Sequence, residues 1–278
     1  MSDQRSIKQW LDHTAQRLSH IERSRREAQL LLMAYLKVDE LYLMLHADDL
    51  LEGSEVLENW IQRRCGNEPL EYILKKVSFY SQEFFIRQGA LIPRPETELL
   101  IDEVLRECDC KKALSFVEVG IGSGIISIVL AQHFEKASFI GIDLSEDALS
   151  VAQQNIQNKN LSQRIALRHG SLLEPIDKDD TIDVLVSNPP YIAKDAVLES
   201  NLDYEPNMAL FGGDAGDELI KALLDQVLMR RIPLFICEFG YDQKEKVRQY
   251  LENETAYSLR FYQDLSGFDR GFILKRKQ

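Results

Sequence analysis

The apolar run ending at Val119 empties into Gly120-Ile121-Gly122-Ser123-Gly124, and Ile125 to Ala131 then continues with a single polar residue. A strand, a glycine turn and an apolar helix in that order form the opening unit of a parallel sheet, because the glycines let the chain reverse and the helix pack back on its strand. Alternation follows: strand 113–119, helix 124–134, strand 138–143, helix 145–158, strands 164–168 and 181–187, helix 216–229, strand 232–239 and helix 242–252. Such a pattern predicts a mostly parallel sheet covered by helices. The closing strands, 257–263 and 270–276, are joined directly and must pair antiparallel at one edge.

Residues 5 to about 70 have a different texture. Ile7, Trp10, Leu11 and Leu18, then Ala28, Leu31, Leu32 and Tyr35, then Val56, Leu57, Trp60 and Ile61 follow a helical period. The spacing predicts a small all-helical domain over 1–71. Ser24 and Glu27 have the form of a capping box, and Asp39 and Ser54 are further candidate N-caps. Val77, Phe79, Tyr80, Phe84, Phe85 and Ile86 suggest two short strands, so 72–93 reads as a hairpin-like connector and 94–278 as the second domain. Pro95 suits the first turn of a helix carrying Leu99, Leu100, Val104 and Leu105.

A formal charge of −12 repels a nucleic-acid backbone, which argues against a chain built to grip one. The start Met1-Ser2-Asp3-Gln4-Arg5 lacks an apolar targeting segment and no run approaches a membrane span, so a cytoplasmic location is expected. Cys65, Cys108, Cys110 and Cys237 form no Cys-x-x-Cys pair and no metal-ligand spacing, which predicts reduced thiols and no metal.

The glycine loop brings a ligand close to bare backbone and to the amides of a helix start. Its spacing is G-x-G-x-G, and Ile125 stands where a dinucleotide fingerprint wants glycine or alanine, which counts against a dehydrogenase. Asp143 ends the second strand, where a carboxylate can accept both hydroxyls of a ribose; the plainer alternative is a cap for the helix near Ser145. Leu172 follows the third strand, positioned either against an adenine ring or simply in the core.

The fourth strand leads into Asn188-Pro189-Pro190-Tyr191, at the strand end that forms the ligand crevice of such a sheet. A bland Asn-Pro turn is one reading. The chemical reading is methylation of a planar amide or amine nitrogen, whose lone pair is delocalised until two acceptors aimed at the NH2 group realign it. The Asn188 side-chain oxygen is one acceptor and the Pro189 carbonyl a second, two prolines restrict the loop, and Tyr191 packs on the planar group. No strong base is required, since the nitrogen becomes acidic once methylated.

Taken together, these features resemble the class I S-adenosylmethionine methyltransferases, specifically release factor N(5)-glutamine methyltransferases of the HemK/PrmC type. Gly66-Asn67-Glu68-Pro69, Leu91-Ile92-Pro93-Arg94-Pro95-Glu96-Thr97-Glu98, Glu238-Phe239-Gly240 and Asp264 to Arg270 also resemble family segments. The resemblance implies a seven-stranded, doubly wound α/β sheet of Rossmann-like type with an antiparallel edge strand beside the helical N-terminal domain. It further implies methyl transfer from S-adenosyl-L-methionine to the glutamine of the Gly-Gly-Gln loop of peptide chain release factors, leaving S-adenosyl-L-homocysteine. By motif, Gly120, Ile121, Gly122, Ser123, Gly124, Asp143, Leu172 and Asn188 would contact the cofactor, and Asn188, Pro189, Pro190 and Tyr191 the glutamine. Glu118 stands where family members often carry Asp, and Leu172 where an aromatic often flanks adenine. The rival is a nucleic-acid amino-group methyltransferase using the same tetrapeptide on adenine or guanine, and against it stands the negative charge.

Overall fold

The computed structural model describes residues 4–196 and 202–277. They divide into two compact units at Lys76 and Val77, with Leu202–Tyr204 counted in the first and Glu205 onward in the second.

The first unit holds helices Ile7–Arg17, Ser24–Leu36, Glu40–Leu45, Glu55–Cys65 and Leu70–Leu74. Trp10, Leu31, Leu32, Leu57 and Ile61 are fully buried in one core, with Trp60 packed half-buried against it. The unit is not all-helical. Strands β1 (Gln4–Ser6) and β2 (Leu50–Glu52) pair antiparallel, and the Leu51 carbonyl accepts the Trp10 indole N–H at 3.1 Å. Strands this short carry too little alternation to register in the sequence.

Asp39 and Ser54 cap their helices through Tyr42 N at 2.8 Å and Leu57 N at 3.2 Å. Ser24 and Glu27 do not form the expected capping box: Ser24 is already helical, Arg23 occupies the cap position with no side-chain bond, and Glu27 instead holds the Arg64 guanidinium, with Arg64 Nη2 donating to it at 2.9 Å. The capping box of this unit is Ser6 with Gln9.

Strands β3 (Lys76–Phe79) and β4 (Gln82–Phe85) pair as a short ribbon. Pro95 opens a single 3-10 turn that runs into helix Glu98–Glu107. The main sheet follows, comprising β5 (Ser115–Val119), β6 (Ser138–Asp143), β7 (Ile165–His169), β8 (Val184–Ser187), β11 (Leu234–Glu238), β12 (Tyr257–Gln263) and β13 (Asp269–Arg276). Between β8 and β11 lie two short strands, β9 (Ile192–Ala193) and β10 (Phe211–Gly213), which pair with each other.

The seven strands run in the order β12-β13-β11-β8-β5-β6-β7. Five are parallel, and β13 is antiparallel to both β11 and β12, as the direct connection between the last two requires. Every residue of β8 and β11 is buried, which is why both read as uninterrupted apolar runs. Val119 pairs with Ser187 and Ser187 with Cys237, so Gly120, Asn188 and Glu238, the last residue of β11, stand level along one edge of the sheet. Among the described residues no helix is long and apolar enough to cross a membrane.

Candidate active site

The glycine loop is pinned by backbone and by one apolar side chain. The amides of Gly120 and Ile121 both donate to the Ile142 carbonyl, at 2.9 and 3.0 Å. Ile121 packs so tightly over Gly141 of β6 that a Cβ there would lie 2.0 Å from Ile121 Cδ1. Gly124 caps helix Ile125–His133 with φ at 81°, and a Cβ on it would press on Ala152 at 3.2 Å. A side chain at 124 would therefore be strained and would push that helix away from helix Glu146–Asn158.

Asp143, at the end of β6, accepts the Gly122 amide at 2.8 Å and the Ser145 amide at 2.9 Å. Burial pushes its carboxyl up, against the backbone bonds that favour the charged form. Ser145 itself caps the next helix through Ala148 N, so Asp143 is not needed as that helix's N-cap.

These elements enclose a cavity of about 200 Å³. Of the residues singled out in the sequence, Gly120, Ile121, Gly122, Ser123, Asp143, Leu172, Asn188, Pro189 and Pro190 line it together. Gly124 lies behind the loop and Tyr191 behind the motif, and neither lines the cavity. Leu172, with φ at 51°, lines the cavity and also packs on the core.

Glu118 also lines the cavity, although it is 1% exposed. Its Oε2 accepts from the Ser127 amide at 2.9 Å and from the Ser127 hydroxyl, while Oε1 is buried with no hydrogen-bond partner. Burial, assisted by the charge of Asp143, pushes this carboxyl up to about 8 in spite of Ser127.

Around Asn188 the structure adds residues that sequence reasoning did not assign to the site. Asn188 Nδ2 donates to Thr97 Oγ1 at 3.0 Å, and among the described residues nothing donates to its Oδ1. Gln243, 1% exposed, donates through Nε2 to the carbonyls of Tyr191 and Gly216, both at 2.9 Å, which fixes the chain leaving the motif. The Tyr191 hydroxyl lies 3.5 Å from Glu238 Oε1, and burial in this neighbourhood pushes the phenol well up. Glu205 accepts from the Ile92 amide at 3.0 Å and from Arg94 Nη2 at 2.6 Å, clasping one wall of the cavity. Thr97 and Glu238 stood in segments quoted for their family likeness, whereas Gln243 and Glu205 gave no signal.

Residues 9–74 match the PrmC N-terminal domain family and residues 110–252 a methyltransferase domain family. The release factor glutamine methyltransferase of Koribacter versatilis is 35% identical over 91% of this chain and 93% of its own. That of Moorella thermoacetica is 32% identical over 98% and 99%. This chain belongs to the release factor glutamine methyltransferase family. Solved structures extend the fold of that family's catalytic unit to more distant proteins. The delta-N METTL16 MTase domain superposes with a TM-score of 0.56 at 16% identity, over 70% of this chain and 89% of that one, and the ribosomal protein L11 methylase of Lactobacillus delbrueckii subsp. bulgaricus with 0.50 at 22%, over 69% and 84%. The sheet is thus the mostly parallel one that the alternation of elements predicts, and of the Rossmann-like methyltransferase type that the family resemblance implies.

Proposed function

We propose that this chain methylates the side-chain amide nitrogen of the glutamine in the Gly-Gly-Gln loop of peptide chain release factors, with S-adenosyl-L-methionine as donor. The observation that carries the reading is Asn188. Its carboxamide is tethered through the nitrogen to Thr97, so the oxygen is turned away from that bond, at the wall of a cavity built on a glycine loop and an acidic strand end.

The cavity fits the cofactor. Glu118 Oε1, buried and without a partner, suits the ammonium of an amino-acid moiety. Asp143 spends two hydrogen bonds on backbone, and a carboxylate has acceptor sites left for ribose hydroxyls. Gly120, Ile121, Gly122 and Ser123 supply the close backbone, Leu172 the apolar face for adenine and Asn188 the boundary with the substrate, while Gly124 holds the loop's shape from behind. When bound, S-adenosyl-L-methionine supplies an electrophilic methyl group and leaves as S-adenosyl-L-homocysteine.

On the substrate side, Asn188 Oδ1 and the Pro189 carbonyl accept the two protons of the glutamine NH2, aligning the nitrogen lone pair for attack. Pro190 limits the space beside them. Tyr191 braces the motif from the core side, its carbonyl held by Gln243. Once methylated, the nitrogen would be acidic and could lose its proton to solvent, so the site needs no strong base of its own.

Purified release factor incubated with the chain and S-adenosyl-L-methionine should gain one methyl on that glutamine by mass spectrometry. Methylation of DNA or RNA instead would favour the nucleic-acid reading, which the negative charge and the names of the relatives disfavour.

A further inference from the structure

Two sides of the cavity come from distant parts of the chain. One is the glycine loop, and the other is the stretch after β4, where Gly89, Ala90, Leu91, Pro93 and Arg94 line the cavity. Helix Glu146–Asn158 backs both. A Cβ on Gly89 would lie 2.7 Å from Asp147 Cβ, and one on Gly124 would lie 3.2 Å from Ala152 Cβ. Ala152 and Asn155 are three residues apart and so share the helix face that meets the loop.

Asn155 is 1% exposed, and its carboxamide joins the two sides. Nδ2 donates to the Ser123 carbonyl and to the Phe85 carbonyl, both at 2.9 Å, and Oδ1 accepts the Phe85 amide at 2.8 Å. The side chain thus pairs with Phe85 as a neighbouring strand would and spends its remaining N–H on the loop. Its orientation follows from its partners, since an amide must meet the oxygen and two carbonyls the nitrogen. A leucine would fill similar space without a polar group to bury, but would leave three backbone groups without this partner. Within the loop, Ile142 and Asp143 hold the amides of Gly120, Ile121 and Gly122, and the Gly124 amide donates to the Ile121 carbonyl at 2.8 Å. The Ser123 carbonyl is held from outside, by Asn155. That hold matters because Gly124, with φ at 81°, tolerates either sign of φ and would let the Ser123–Gly124 peptide rotate.

We propose that Asn155 is a positioning residue of the cofactor site, holding the glycine loop and the wall after β4 in one geometry through a single carboxamide. This rests on the assignment of the cavity to S-adenosyl-L-methionine. Asn155 does not line the cavity and acts through Ser123 and Phe85. Its effect falls on cofactor binding rather than on the transfer step, because the Asn188 motif is held separately, by Thr97 and Gln243.

The test is calorimetry of the full chain with S-adenosyl-L-homocysteine, on variants shown to be folded by circular dichroism. Asn155→Asp keeps the shape and the acceptor for the Phe85 amide, but an ionised carboxylate donates nothing. It should weaken binding about 10- to 100-fold, and Asn155→Leu, which brings no charge, should do the same. Single-turnover transfer at saturating S-adenosyl-L-methionine should stay within about 3-fold of wild type in both. Gln82→Ala removes the bonds from β4 to Gln132 and Lys159 without touching the loop, and should leave affinity unchanged. Wild-type affinity in either Asn155 variant, or an equal loss in Gln82→Ala, would overturn the proposal. Hydrogen exchange on wild type needs no variant to fold: the Phe85 amide should exchange about 10-fold more slowly with S-adenosyl-L-homocysteine bound, and a rate indifferent to the ligand defeats the tie. Wild-type chain that binds no S-adenosyl-L-homocysteine would overturn the cavity assignment and the proposal with it, whereas tight wild-type binding with unaffected Asn155 variants overturns the proposal alone.

Discussion

The Asp143 carboxylate accepts the Gly122 amide at 2.8 Å, so the residue proposed to receive a ribose also fixes the middle of the glycine loop. Its two functions cannot be separated by a single truncation. Asp143→Ala should weaken S-adenosyl-L-methionine binding roughly 10- to 150-fold, the equivalent of one hydrogen-bonded charged group. Calorimetry on the folded variant checks this, and unchanged affinity would remove ribose recognition.

Asn188 should act on the transition state more than on binding, because the amide lone pair needs alignment only as the methyl arrives. Asn188→Ala should cost on the order of 100- to 1000-fold in turnover, with a much smaller change in cofactor affinity. Normal single-turnover kinetics in this variant would dispose of the amide-orienting role.

Glu118 gives the ligand-free protein a pH dependence of defined sign. With its folded carboxyl at about 8 and its unfolded value near 4.5, the folded chain keeps a proton that the unfolded chain has released. Stability therefore falls as pH rises through that window, by at most about 1.4 kcal/mol per pH unit from this group, and levels off above it. Glu238, at about 7, adds a fall of the same sign over a narrower range. Glu118→Gln should flatten the curve, as measured by chemical denaturation across the window. Binding the cofactor ammonium against an ionised Glu118 should also release up to about one proton near pH 7, visible as calorimetric heats that depend on the buffer. No difference between wild type and Glu118→Gln in either experiment would refute the assignment.

Both tryptophans of the chain, Trp10 and Trp60, belong to the N-terminal unit, so their fluorescence reports that unit alone. Arg64 is nearly buried and lies between Glu27 and the Glu68 carbonyl. Glu27→Ala leaves its charge unpaired and should destabilise the unit by about 1 to 3 kcal/mol, below the cost for a fully buried pair. Denaturation followed by tryptophan emission reads the loss directly; an unshifted midpoint would show the pair to be dispensable.

The same unit exposes Leu41, Met44 and Leu45, each at least 60% accessible, although its own core is complete without them. A glutamine in a Gly-Gly-Gln loop offers little surface for selection, so specificity should draw on contacts such as these. Replacing all three by serine should raise KM for whole release factor about 10-fold while leaving a short Gly-Gly-Gln peptide unaffected. Equal effects on protein and peptide would assign the unit a purely stabilising role.

The sheet and the glycine loop are legible in sequence because they rest on local periodicity and on short strings such as Gly120 to Gly124. Asn188-Pro189-Pro190-Tyr191 is legible for the same reason. What is not legible depends on partners distant in the chain. Thr97 meets Asn188 across 91 residues and Glu205 meets Arg94 across 111, distances that no window spans. Ser24 and Glu27 mislead because the motif is only a spacing, and the arrival of Arg64 from another helix gives Glu27 a stronger partner than a backbone amide.

The seat of Ile121 on Gly141 ties two positions on neighbouring strand ends into one unit of inheritance. A methyl group added at 141 collides with the isoleucine, and a smaller residue at 121 leaves a hole beneath the cofactor loop. Each change alone should therefore be a loss, and a simultaneous exchange of bulk between the two should offset it. Divergent members of the family should therefore trade volume across this pair, and a laboratory search for variants with a reshaped adenosine pocket should begin by randomising 121 and 141 together.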